Sequence, residues 1–109
     1  MPNMELAVGK NITLPCKTAG APPPEYTWKL PNGTSINSSS PVYEYDVGAA
    51  DDDLTVSFHV KRVLQDGSLL LSRARVYDSG KYTCIARNYL GEDRKSTTLT
   101  VRKGNSCNM

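Results

Sequence analysis

The chain has 109 residues, 39% of them hydrophobic and 22% charged, with a formal net charge of +2. That length suits one domain with a modest core and leaves little for a second. The weak charge, without a run of Lys and Arg forming a basic stripe, argues against nucleic acid. The longest apolar run, Leu69-Leu70-Leu71, is far too short to insert in a bilayer.

Residues 1–4 lack the basic start and apolar stretch of a signal peptide, so they read as a leader remnant and the chain as a piece of a longer protein. Strand signals follow. Ile12, Leu14 and Cys16 alternate with polar neighbours or proline, the period of a half-buried strand. Ala19 to Pro24 is a turn-forming stretch whose three prolines cannot donate to a ladder. Tyr26, Trp28 and Leu30 alternate again, and Pro31-Asn32-Gly33 closes that strand with a turn. Ser35 to Pro41 is polar and Ser-rich and reads as loop. Pro41–Val47 and Leu54–Val60 both alternate, with Gly48–Asp53 between them, which predicts a β-hairpin. Asp66-Gly67 is a turn signal before Ser68–Ser72. Lys81–Arg87 places Tyr82, Cys84 and Ala86 on one face, and Asn88–Gly91 turns into a last strand over Ser96–Arg102. The tail, 103–109, has no pattern and reads as disordered. Seven to nine short strands separated by turns predict an all-β, two-sheet antiparallel sandwich.

Of the three cysteines, none has the CxxC spacing of a zinc or thioredoxin-like site. Cys16 and Cys84 lie 68 residues apart in two strand-like runs, so they read as a long-range disulfide. Cys107 is left over, either pairing outside the domain, free, or an accident of where the chain was cut.

Cys16, Trp28 twelve residues on, and Asp78-Ser-Gly-Lys-Tyr-Thr-Cys84 together resemble the core signature of the immunoglobulin superfamily. In that family the two cysteines sit on strands B and F of facing sheets, about 10 Å apart, with the indole packed on the bridge. The resemblance implies that Tyr82 forms a tyrosine corner and that Asp78 pairs with Arg62 at the start of strand D. Leu69, Leu71 and Ala74 match strand E, and Gly80 belongs to the Asp78 motif. Gly20-x-Pro22-x-Pro24 and Asn88-x-x-Gly91 are similar to the intermediate-set branch, over residues 5–102. Residues 35–60 are longer than a minimal intermediate-set domain requires, so the predicted hairpin is expected to supply strands C′ and C″. The chain is similar to immunoglobulin domains of leucine-rich-repeat neuronal receptors and of matrix and adhesion proteins.

Catalysis has little raw material. His59 is the only histidine and reads as a solvent-facing residue, opposite the Val56, Phe58 and Val60 face. With the cysteines used in a bridge, no enzyme and no cofactor are expected. Glu44, Asp46 and Asp51–Asp53 offer oxygen atoms that suit Ca²⁺, but their spacing matches no EF-hand loop and they read as a solvated loop tip. Asn11-Ile-Thr, Asn32-Gly-Thr and Asn37-Ser-Ser fit the N-glycosylation pattern. With the disulfide they point to an extracellular module of a secreted or single-pass membrane protein.

If Tyr82, Cys84 and Ala86 point inward, Lys81, Thr83, Ile85 and Arg87 point out, joined by Thr27 and Lys29, with Tyr89 and Leu90 at the adjoining turn. That face is the expected contact surface for another protein, including a second copy, and Tyr43 and Tyr45 of the hairpin are the second candidate. The functional reading is a noncatalytic binding or adhesion module. Its rivals are a spacer in a matrix protein and an intracellular cytoskeletal or muscle domain.

Overall fold

The computed structural model describes residues 3–16, 24–47 and 56–103. Among the described residues there are nine strands: β1 (Asn3–Ala7), β2 (Ile12–Leu14), β3 (Glu25–Lys29), β4 (Ser35–Asn37), β5 (Val42–Val47), β6 (Val56–Val63), β7 (Leu69–Leu71), β8 (Gly80–Asn88) and β9 (Gly91–Arg102). They form two sheets, one in the order β1-β9-β8-β3-β4 and the other β2-β7-β6-β5. All neighbours are antiparallel except β1 and β9, which run parallel from Asn3↔Thr98 to Ala7↔Arg102. The two-sheet sandwich read from the strand pattern is therefore the architecture observed. β1 takes in Asn3 and Met4, which the sequence placed in the leader.

The inner faces meet in one apolar core. Leu14, Leu69, Tyr82 and Cys84 have no exposed surface, and Trp28, Leu71 and Leu99 almost none. Cys16 and Cys84 are disulfide-bonded across the sheets with their Cα atoms 6.2 Å apart. The buried indole still satisfies its donor, since Trp28 Nε1 donates to the Gly67 carbonyl at 2.8 Å. That contact depends on a glycine: Gly67 has φ +92°, and a Cβ there would meet the Tyr26 ring at 2.5 Å. The Tyr82 hydroxyl donates to the Asp78 carbonyl oxygen at 2.6 Å, closing the tyrosine corner. Burial, ahead of the nearby Asp78 charge, pushes this phenol well above its ordinary pKa.

Four expectations need correction. Ser35–Asn37 is not loop but the edge strand β4, held to β3 by Thr27↔Asn37 and Lys29↔Ser35. Only Ile36 of the three is buried, so no alternation shows in the sequence. The hairpin exists as β5 and β6, its link 48–55 lying outside the described residues, but it widens the β2-β7 sheet and not the sheet of β3. β9 starts at Gly91, five residues earlier than the apolar pattern suggests, because its first half is polar on both faces.

The fourth concerns which side chains of β6 face inward. Pairing with β7 puts Lys61 opposite Leu71 and Val63 opposite Leu69. With a period of two, His59, Lys61 and Val63 face in, and Phe58 and Arg62 face out. His59 is thus buried, and its Nδ1–H donates to the Arg73 carbonyl at 2.6 Å. Arg62 is exposed and is not the partner of Asp78. That role falls to its neighbour Lys61, whose Nζ lies 3.1 Å from Asp78 Oδ1, and to Arg75, whose Nε and backbone N–H both donate to Oδ2, at 3.2 and 2.7 Å.

Arg75 continues the network. Its Nη2 also donates to Glu44 on β5, and its guanidinium stacks 4.4 Å over the Tyr77 ring. Burial pushes the Asp78 carboxyl up, but the hydrogen bonds from Arg75 and Lys61 together outweigh it and leave the group below the usual carboxylate range. Glu44 is also lowered, chiefly by its hydrogen bond from Arg75, with burial opposing.

Candidate functional site

The outward face of the five-stranded sheet is assembled by register. β3 and β8 pair Glu25↔Arg87, Thr27↔Ile85 and Lys29↔Thr83. β8 and β9 continue the same rows through Arg87↔Glu92, Ile85↔Arg94, Thr83↔Ser96 and Lys81↔Thr98. Directly opposed residues in an antiparallel pair share a face. With Trp28, Tyr82, Cys84 and Ala86 buried beneath, Thr27, Lys29, Lys81, Thr83, Ile85 and Arg87 stand on the outer side as the sequence predicted. Tyr89 lies at the end of the face, in the β8–β9 turn, 85% exposed beside Leu90 at 70%.

The rows differ in chemistry. In the row nearest that turn, Glu92 accepts from Arg87 Nη2 at 2.8 Å and from Arg94 Nε at 2.7 Å. These two bonds, Arg87's first, hold the Glu92 carboxyl below its ordinary range. The next row is Thr27, Ile85 and Arg94, with Ile85 half-buried. Below it Lys29, Thr83 and Ser96 form a polar row, the two hydroxyls 3.1 Å apart. Here the sheet dips into a shallow, open concavity of about 670 Å³ lined by Lys29, Lys81, Thr83, Arg94 and Ser96. Glu92 and Arg94 escaped the sequence reading, which began the last strand at Ser96. Counting back from Arg87 across the Asn88–Gly91 turn would have found them.

The sequons occupy exposed positions with their side-chain carbonyls engaged. Asn11 Oδ1 accepts from the Arg73 N–H, Asn32 Oδ1 from Thr34 N–H, and Asn37 Oδ1 from Ser39 N–H, each at 2.9 Å. In every case Nδ2, the atom a glycan would take, is not the group so used. Asn37 shares a row with Thr27 at the edge of the outer face.

The second candidate surface lies on the other sheet. Tyr43, Tyr45 and Phe58 are each about two-thirds exposed on one face of the hairpin, with the Tyr45 and Phe58 rings 6.2 Å apart. Of the acidic residues considered for Ca²⁺, Glu44 is committed to Arg75 and Lys61. Asp51–Asp53, like Cys107 and residues 19–23 of the stretch expected to turn, lie outside the described residues.

Comparison with known proteins agrees with this geometry. The chain is 38% identical over 96 residues to human immunoglobulin superfamily member 10, covering 85% of this chain. It is 34% identical over 98 residues to human matrix-remodeling-associated protein 5, covering 90%. It spans only 3% of the length of either relative. Among solved structures, the Ig-like domain of human leucine-rich repeat-containing protein 4 superposes with a TM-score of 0.70 at 29% identity, covering 98% of this chain and 87% of that one. The family model described as immunoglobulin domain matches residues 1–88. With the bridged cysteines, the buried tryptophan and the tyrosine corner, the chain belongs to the immunoglobulin domain family.

Proposed function

We propose that this domain is a noncatalytic, extracellular protein-binding module of a cell-surface receptor or adhesion protein, and that its partner docks on the outward face of β3, β8 and β9. One observation carries the reading: residues scattered from Thr27 to Arg94 in sequence meet on one face, where half-buried Ile85 and exposed Tyr89 and Leu90 accompany Lys29, Lys81, Arg87 and Arg94. Aromatic and arginine side chains at the centre and edge of such a patch are the usual carriers of interface energy. The disulfide and the three exposed sequons favour the secretory route. A partner carried by another protein or by a second copy of this chain would meet the same face.

A spacer role in a long matrix protein is the second reading, favoured by the small share of each relative that this domain represents. Two measurements test these statements. Secretion from mammalian cells followed by intact mass should show glycan mass at Asn11, Asn32 or Asn37 and a two-proton deficit for Cys16–Cys84. Bare asparagines would remove the extracellular placement. A binding screen against surface and matrix proteins, repeated with Ile85→Asp and Arg87→Glu, should lose its hits. Partner affinity unmoved by both substitutions would leave the spacer.

A further inference from the structure

We infer that the basic half of the outer face, where Lys29, Lys81 and Arg94 surround the Thr83–Ser96 hydroxyl pair, binds a sulfated polysaccharide. This rests on the reading of that face as an extracellular contact surface and names a ligand for part of it.

The three cations come from three different strands. Lys29 is on β3, Lys81 lies one row away on β8, and Arg94 lies one row away in the other direction on β9. Strands about 4.8 Å apart and a rise of about 3.3 Å per residue place their Cα atoms at the corners of a triangle with sides of about 8 to 14 Å. Both lysines and Arg94 are exposed and line the concavity. Among the described residues, none that lines it is acidic. The acids of this face, Glu25 and Glu92, stand together in the row beside the β8–β9 turn. Of the two, only Glu92 reaches a cation of the triangle, through Arg94 Nε.

The floor suits an oxyanion as well. Thr83 and Ser96 share one hydrogen bond of 3.1 Å. Each hydroxyl carries one proton, so that bond uses one and leaves the other to donate to a ligand. The concavity has what a polyanion needs: spaced cations, a hydroxyl donor, and an open, shallow form that an extended chain can cross. It lacks what a folded protein would favour. Among the described residues that line it there is no aromatic, and the apolar ones are Leu30, buried in the core, and Pro31. The protein-like part of the face begins at Ile85, which shares a row with Arg94, and runs from there to Tyr89 and Leu90 at the turn.

The test is retention of the oxidised domain on immobilised heparin near physiological ionic strength, with chemically desulfated heparin as the control matrix. Lys29→Ala, Lys81→Ala and Arg94→Ala should each weaken binding several-fold, and the triple variant should elute with the void. Lys10→Ala and Lys103→Ala, which remove the same charge elsewhere, should change it by less than about twofold. The inference falls if the domain is not retained, if the two control variants weaken binding as much as the site variants, or if desulfated heparin holds it equally. It also falls if a poly-glutamate peptide competes as well as heparin oligosaccharides, since the site would then select an acidic protein segment. Lys81→Ala reads the basic concavity, and Tyr89→Ala, at the far end of the face and without a change of charge, reads the proposed protein contact, so either can fail without the other.

Discussion

The space between the two sheets is filled in two different ways. Around the disulfide it is dry: Leu14, Trp28, Leu69, Leu71 and Leu99 enclose Cys16–Cys84. Toward the β5–β6 hairpin the same interval holds Asp78, Arg75, Lys61 and His59, with Glu44 at its margin. Both regions are packed, but they are stable for opposite reasons. The dry half gains from each apolar group removed from water, at about 25 cal/mol per Å². The charged half bears a desolvation cost and is stable only because every charge has a partner. The first should therefore tolerate partial loss, and the second should fail when one member is taken away.

The largest effect expected is from Asp78→Ala. It leaves the buried Arg75 and Lys61 with only the half-exposed Glu44 as a shared carboxylate, and should cost roughly 3–5 kcal/mol in urea unfolding. A loss near that of an exposed pair, below about 1 kcal/mol, would show that the two halves do not differ as described. Next comes the dry half: replacing Cys16 and Cys84 together by Ala should cost about 2–5 kcal/mol, with most of it expressed through the unfolded chain.

The same contrast predicts a pH dependence. Asp78 and Glu44 have carboxyl groups lowered by folding. Such groups bind protons more readily in the unfolded chain, so their contribution is complete above the ordinary carboxylate range and is lost as pH falls through the folded values. Stability of the wild type should decline from about pH 4 downward, and Asp78→Asn should flatten that decline. An unaltered acid limb in the variant would remove the cluster as its source.

Smaller effects sharpen the boundary between the halves. Tyr82→Phe removes one hydrogen bond, to Asp78's carbonyl, while leaving the ring packed, and should cost about 1 kcal/mol. Glu44→Gln should cost less than about 1 kcal/mol, because its side chain is 43% exposed and solvent already screens its pairs. A Glu44 effect as large as that of Asp78 would mean the hairpin is held by charge and not by its ladder.

The dry half was almost wholly legible in the sequence. Its cysteines, Trp28, Tyr82 and strand alternation are apolar signals with fixed spacing. The charged half was not. In β6 the sequence rule that apolar residues face inward gave Val56, Phe58 and Val60 the core and His59 the solvent. Pairing with Leu69 and Leu71 sets the opposite phase, and the inner face there meets charges in place of hydrocarbon. Arg62 and Lys61 differ by one residue, and one residue in a strand is the other face. Arg75 sits just before a 3₁₀ turn, Val76–Asp78, where no periodicity marks it. The outer face was legible on β3 and β8 because it is the complement of a clear buried row. The triangle of cations was not, since Lys29, Lys81 and Arg94 become neighbours only through register.

The parallel pairing of β1 with β9 has a mechanical consequence. Tension applied at Asn3 and Arg102 would draw β1 toward its start and β9 toward its end, two opposed pulls along strands that lie side by side. The ladder from Asn3↔Thr98 to Ala7↔Arg102 is then loaded in shear, with its hydrogen bonds sharing the force at once. A pull on β5, at the far edge of the other sheet, would instead peel its ladder one bond at a time. Strung between neighbours, this domain would resist along its length and give way at its side.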